Sequence, residues 1–478
     1  MQDLVIVWKN DGSHLYEQIY EHIKEEIRKG KLLYREKLPS TRSLASYLGV
    51  SRSTVELAYD QLLSEGYIES VPYRGYFVAR VEELYRFPEE GEREGSVLET
   101  KEGGFAADFS PNAVDMRFFP FGIWRRLTRS ILSQDNAAVF SQGQAKGDRQ
   151  LRETIVRYLH ASRGVNCSAN QLIVGAGNDF LLMLVSRLLE GEGTVAFENP
   201  TYPKAYRIFR LFSGQAVTVP SDEGGIRPED LEKVRAKAVY VMPSHQYPSG
   251  RIMPIGRRLE LLHWAMGGEE RYIIEDDYDS EFHYRGKPVP SLQASDTAGK
   301  VIYIGTFSKS IAPAVRVSYM VLPKTLLRRY ERQFSAFSST VPGIDQAVLD
   351  AFIREGAFER HLNRMRKVYR EKHDCLLEGL RPLMEDFALS GENAGLHVLL
   401  TDKRGRSEEW LTGRAKEAGV RVYGLSEAMG GGEKKEGPAT VLLGFGGLTE
   451  EEIRRGTGLL KEAWNGEKPS FEKGKKEL

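Results

Sequence analysis

The stretch at residues 82–104 (EELYRFPEEGEREGSVLETKEGG) limits the folds open to this 478-residue chain more than any other feature. It holds eight glutamates, a proline and several glycines, and no sustained apolar period. Like charges and helix breakers keep such a segment extended and solvated, so residues 81–107 read as a linker. Residues 1–80, before it, are dense in helical periodicity. Residues 108–464, after it, alternate helical and strand patterns, which predicts an α/β domain. Residues 465–478 (NGEKPSFEKGKKEL) read as a polar tail. With 41% hydrophobic and 28% charged residues the chain is neither disordered, collagenous nor a coiled-coil rod. No apolar run reaches the ~18 residues of a membrane helix, and the N-terminus lacks the pattern of a signal peptide. Two cysteines, Cys167 and Cys375, are too few for a disulfide scaffold, and the nine histidines show no ligand spacing, so no metal is expected. A reducing cytoplasm is the default compartment. The 67 basic and 67 acidic side chains cancel, so any contact with nucleic acid must come from a local arrangement.

In the first zone Leu15, Ile19, Ile23 and Ile27 recur every four residues, one apolar helix stripe. Pro39-Ser40 closes that helix and offers a cap for a short second one. Gly49-Val50-Ser51 is a turn that offers Ser51 as a second cap candidate. Ser53-Thr54-Val55-Glu56 fits a capping box for a third helix with Val55, Ala58, Tyr59, Leu62 and Leu63 inward and Gly66 at its end. Ile68–Val71 and Gly75–Val78 read as two short strands about Pro72-Tyr73-Arg74. This order predicts a winged helix-turn-helix. Its third helix opens with Ser51, Arg52, Ser53 and Thr54, the residues such folds send to base edges. Arg52 suits a bidentate contact with guanine, and Arg42 and the wing residue Arg74 suit phosphate or minor-groove contact. A small helical interaction module with solvated arginines is the competing reading, supported by the 11 basic and 11 acidic residues of this zone. The zone resembles the DNA-binding domain of the GntR family in Pro39-Ser40-Thr41-Arg42-Ser43-Leu44-Ala45, Val50-Ser51-Arg52-Ser53-Thr54-Val55, Ala58-Tyr59, Glu65-Gly66 and Gly75-Tyr76-Phe77-Val78.

In the large zone an apolar run, Val301–Gly305, leads into Thr306-Phe307-Ser308-Lys309, where a desolvated lysine could form an imine with an aldehyde. Arg316, seven residues on, could bind a phosphate beside it. Tyr272-Ile273-Ile274 ends in Glu275-Asp276-Asp277-Tyr278-Asp279. An acid at such a strand end can hold a pyridine nitrogen protonated, although a solvated turn or a carboxylate Mg²⁺ site shares the pattern. Leu172–Val174 enters Gly175-Ala176-Gly177-Asn178, either an anion site at a helix start or a tight structural turn. Tyr202, after Asn199-Pro200-Thr201, could stack on a planar group or simply pack.

Taken in order, these segments resemble the fold-type I aminotransferases that use pyridoxal 5'-phosphate (PLP), over roughly residues 108–460. The resemblance implies that Lys309 carries the cofactor as an imine, that Asp276 faces the pyridine nitrogen and Tyr278 the ring oxygen, and that Tyr202 stacks on the ring. It assigns the phosphate to Ala176, Gly177, Asn178, Thr306, Ser308 and Arg316. Tyr247-Pro248-Ser249-Gly250 stands where those enzymes carry Asn-Pro-Thr-Gly, so a tyrosine replaces the ring-contacting asparagine.

A GntR-type reader joined to such a domain resembles the MocR/GabR family of PLP-dependent transcriptional regulators. Pro243-Ser244-His245-Gln246-Tyr247-Pro248-Ser249-Gly250, Glu275–Phe282, Gly305–Ser310 and Asn393-Ala394-Gly395-Leu396-His397 carry the likeness. The family implies a domain-swapped homodimer on operator DNA, and an amino effector that forms an external aldimine with the cofactor. A working aminotransferase carrying a DNA-binding arm, and a scaffold with a dead pocket, are the rival readings. Leu443-Gly444-Phe445-Gly446-Gly447-Leu448 places glycine, Gly447, where an arginine that clamps the substrate carboxylate is expected. Either the effector has no carboxylate at the usual distance, or another cation binds it, with Lys204, Arg207 and Arg421 as candidates; the expectation is an effector other than a plain L-α-amino acid, dipeptide-like or D-configured, contacting Lys204, Arg207 and Tyr247.

Overall fold

The computed structural model describes Ile6 and residues 14–79, 104–189, 191, 193–213, 215–284, 290–429 and 437–465. Most of the expected linker (81–103) and the tail beyond Asn465 lie outside the described residues. Two compact units divide the chain, Met1–Thr100 and Lys101–Leu478.

In the first unit three helices, Leu15–Arg28, Thr41–Leu48 and Arg52–Ser64, bury Ile19, Ile23, Leu44, Val55, Tyr59 and Leu62 against one another. Leu15, expected inward, is 47% exposed, because the first turn of its helix overhangs that core. Ser40 caps the second helix through the Ser43 amide, and Gly49 ends it at φ +69°. The cap of the third helix is Ser51, whose Oγ accepts the Thr54 amide at 3.1 Å, not Ser53. Glu56, the expected box partner, is drawn instead to Arg52 at 2.7 Å. Strands Ile68–Val71 and Gly75–Val78 pair antiparallel, with Ile68 opposite Val78.

The second unit is built on an eight-stranded sheet. Its spatial order is Leu172–Gly175, Ser318–Val321, Val301–Thr306, Tyr272–Asp277, Ala236–Val241, Thr194–Asn199, Ala216–Asp222 and Gly225–Ile226. The five strands from Val301–Thr306 to Ala216–Asp222 are mutually parallel. Both faces of the central strands are covered, so Ala236–Val241 and Val301–Thr306 are buried along their whole length, and Tyr272–Asp277 turns acidic only at its carboxyl end. Ile302 and Ile304 point to helices Asn178–Leu188 and Lys324–Phe334, whereas Tyr303 between them points to Arg149–Arg163 and Gly343–Arg354. A second, antiparallel sheet (Phe387–Ser390, His397–Asp402, Thr440–Gly444, Tyr423–Gly424) packs on helices Ala357–Leu380 and Glu450–Trp464. Among the described residues no helix is long and apolar enough to cross a membrane.

Candidate functional site

In an open parallel sheet the carboxyl ends of neighbouring strands converge on one crevice. Here the ends of Leu172–Gly175, Ala236–Val241, Tyr272–Asp277 and Val301–Thr306 feed a cavity of about 220 Å³. Its wall includes Asn178, Tyr202, Lys204, Tyr247, Asp276, Tyr278, Thr306, Ser308, Lys309 and Arg316, ten of the thirteen residues expected to bind cofactor or effector.

The Lys309 amine donates to the Pro111 carbonyl at 3.0 Å. Burial pushes its pKa down to about 8, with Asp279 opposing the shift. Across the cavity Asp276 is 3% exposed. Its Oδ2 accepts from Asn178 at 2.9 Å and from the Tyr240 hydroxyl, while its Oδ1 is buried with no hydrogen-bond partner. Burial pushes this carboxyl up to about 6 against the pull of Tyr240 and Asn178. The Tyr278 hydroxyl lies 2.9 Å from His245 Nδ1, which also lies 2.8 Å from an Asp279 oxygen. His397 stands behind, its Nε2 donating to the Pro248 carbonyl, its pKa pushed down to about 3 by burial and by His245.

The expected phosphate residues lie at the start of helix Asn178–Leu188 and around it. Gly177 sits at φ +88°, and a Cβ there would run into the Arg316 guanidinium. Arg316 itself adopts φ +50° and bonds Asp179 at 3.1 Å, and Lys204 bonds the same carboxylate oxygen at 2.6 Å. Thr306 and Ser308 exchange hydroxyl contacts at 3.1 Å. Three expected residues stand differently. Ala176 does not line the cavity, and its amide is taken by Thr340 Oγ1 at 3.1 Å. Gly177 shapes the wall only through Arg316. Arg207 is exposed on helix Pro203–Phe212 and off the wall. Gly447 and Arg421 are off the wall too. Gly447 lies past the end of strand Thr440–Gly444, where its missing Cβ makes room for Ala113, while Arg421 stacks over Phe105 and Tyr423. Arg316 is the one arginine on the wall among the described residues. Asn112, Asp179, Met242 and Pro313 line the cavity without having been singled out.

In the first unit Arg42, Ser51, Arg52, Ser53 and Arg74 are exposed, and Thr54 is half-buried. Ser51 Oγ lies 2.7 Å from the Thr54 hydroxyl and 2.8 Å from that of Ser53, and Arg52 is paired on the surface with Glu56 at 2.7 Å. Tyr73, fully exposed at the wing tip with φ +63°, was not anticipated.

Residues 15–78 match the model of bacterial regulatory proteins of the gntR family, and residues 116–427 match aminotransferase class I and II. The chain is 40% identical over 451 residues to the HTH-type transcriptional regulator YdeL of Bacillus subtilis, covering 94% of this chain and 96% of that one. It is 32% identical over 465 residues to the "Probable rhizopine catabolism regulatory protein MocR" of Rhizobium meliloti, covering 94% of each. The kynurenine aminotransferase of Pyrococcus horikoshii, solved with PMP, superposes with a TM-score of 0.68 at 27% identity, over 76% of this chain and 91% of that one.

Proposed function

Because this chain belongs to the MocR-type bacterial transcriptional regulators, in which a GntR reader is joined to an aminotransferase class I and II domain, we propose that it is a PLP-dependent, DNA-binding switch operated by a small amine. The observation that carries the reading is one cavity holding the desolvated Lys309 amine, the unpartnered oxygen of Asp276 and the Gly177–Arg316 anion end. These residues fit the cofactor: a pyridine N–H would satisfy Asp276 Oδ1, and a phosphate would replace Asp179 as the partner of Arg316. Bound PLP supplies an aldehyde carbon that condenses reversibly with primary amines, on a ring that draws electrons from it. Asp276 would hold the ring proton, Tyr278 with His245 beside it would meet the ring oxygen, Tyr202 would cover the ring, and Asn178, Thr306, Ser308 and Arg316 would bind the phosphate. An amino effector is a rival of the Lys309 amine for that carbon. With Arg316 taken by phosphate and Lys204 half-committed to Asp179, the wall offers no free guanidinium for a carboxylate. This supports an effector other than a plain L-α-amino acid, dipeptide-like or D-configured, touching Tyr247 and Lys204. The working unit is read as a domain-swapped homodimer acting in the cytoplasm on operator DNA, and as a regulator rather than an enzyme. Steady turnover of an amino acid with a 2-oxo acid would favour the aminotransferase reading instead.

The chemistry has a pH signature. A lysine with pKa about 8 is mostly neutral above that pH, whereas an ordinary lysine is not. Capture of added PLP by cofactor-free protein should therefore speed up from pH 7 to 9 with its midpoint near 8, read by stopped-flow absorbance; a rate still climbing steeply at pH 10 would count against Lys309. Gly177→Ala should weaken cofactor binding by roughly tenfold or more, through backbone strain and the displaced Arg316, measured by fluorescence titration. Arg52→Ala should cost operator binding ~1–3 kcal/mol and relax one base position. An unchanged sequence preference in a binding-site selection would remove this helix as the reader.

A further inference from the structure

A second cavity in the large unit, of about 270 Å³, shares Met242 with the first but contains neither Lys309, Asp276 nor Arg316. One wall is the end of strand Thr194–Asn199 with the Asp222–Gly225 turn. The other comes from the small antiparallel sheet, through Ser390, Leu399, Thr401 and Thr440. The distinctive side chain is Glu198. It is 1% exposed, its Oε1 accepts the Ile226 amide at 3.3 Å, and its buried Oε2 has no hydrogen-bond partner. A buried carboxylate left without a cation is costly, and native structures keep such orphans for a reason. Burial pushes the Glu198 carboxyl up to about 7, although the Ile226 amide, Gln246, Arg257 and Arg251 all pull it down. Those two arginines are engaged elsewhere: Arg257 with Asp222 and Glu260 at 2.9 Å each, and Arg251 with the Asp222 carbonyl at 3.0 Å. Asp222 is neutralised by Arg257, but Glu223 adds a further acid to the wall, so Glu198 and Glu223 outnumber Arg251 there.

We propose that this cavity is a binding site for a short aliphatic ammonium compound, its charged head on Glu198 Oε2 and its alkyl part against Leu399, Leu425 and Met253. A cation answers the unpaired carboxylate, and an anion would meet Glu198 and Glu223. A divalent metal is disfavoured, because it would need several oxygen ligands and would meet methionine and leucine beside the one buried carboxylate. An occupant touches both sheets and Met242, and so offers a second input to the Lys309 cavity. The site does not rest on the PLP reading.

The test is calorimetric titration of the full-length protein with n-butylamine after borohydride treatment, which blocks amine exchange at Lys309 whatever is bound there. Neutral n-butanol serves as the isosteric control. Saturable binding of the amine and none of the alcohol is expected. Since the ammonium selects the ionised carboxylate, binding near pH 6.5 should release protons, seen as a dependence of the heat on buffer, and this release should vanish by pH 8.5. Glu198→Gln should weaken binding about tenfold or more and remove the release. Absence of saturable amine binding, equal binding of the alcohol, or a Glu198→Gln protein that binds with unchanged affinity and proton release overturns the proposal.

Discussion

A Lys309→Ala protein is expected to hold operator DNA within a few-fold of the unaltered chain and to lose its response to amine effectors altogether. The DNA-reading unit has its own core, tied by Tyr59, whose hydroxyl donates to the Pro39 carbonyl at 3.0 Å, and position 309 belongs to the other compact unit. A ligand shifts an equilibrium only through its differential affinity for two states, and without the lysine amine the lysine-bonded state that the effector would have to displace no longer exists. The fold should tolerate the change. Lys309 has a folded pKa of about 8 against an ordinary 10.5, so the folded protein holds fewer protons between those values and stability rises with pH across that window. At pH 7 the native lysine is therefore a burden that alanine removes, and melting temperature should not fall. Fluorescence anisotropy with labelled operator, with and without amine, reads both arms; a retained response would mean the switch lies elsewhere.

The second large effect is expected at Asp276. Asp276→Ala removes the carboxylate proposed to pair with the cofactor's ring N–H and strands the donors of Tyr240 and Asn178. Losses of this kind run to ~2–5 kcal/mol, a fall in cofactor affinity of roughly thirty-fold to several thousand-fold. Asp276→Asn keeps the shape without the charge and should be nearly as weak. Because the carboxyl has a pKa of about 6, raised by burial, the unaltered chain should bind PLP less tightly as pH falls from 7 to 5. Titration of cofactor-free protein followed by absorbance checks the variants and the pH trend together.

Much of this site could be read from the chain because its residues sit at strand ends, where an apolar run stops and a polar one begins. Asp276, Tyr278, Thr306 and Lys309 carry that local signal. The residues that went unnoticed depend on pairing far apart in sequence. Tyr240 is one more buried aromatic in a strand until the parallel register sets it beside Ile274, on the face that Asp276 shares. Thr340 reaches Ala176, and Pro111 reaches Lys309, across 164 and 198 residues. Glu198 looks like an ordinary acid before a proline, and only the closure of two sheets over it makes it buried. Gly447, which stands where a carboxylate-clamping arginine is expected, lies past the end of strand Thr440–Gly444. Leu442, within the strand, packs with Leu399 and Leu425 on Tyr247. In the reader unit, Ser51 and Ser53 are equally plausible caps by residue type. Ser51 wins because the helix begins at Arg52, which leaves Glu56 to pair along the surface with that arginine.

If Lys309 carries the cofactor, it is the one lysine of this regulator that reduction will label. The direct measurement is borohydride reduction of the full-length protein purified with PLP, followed by digestion and mass mapping. A single pyridoxyl group on the peptide containing Lys309, lost in Lys309→Ala, is the predicted result. A protein that stays colourless and unmodified, or one labelled only at other lysines, would contradict it.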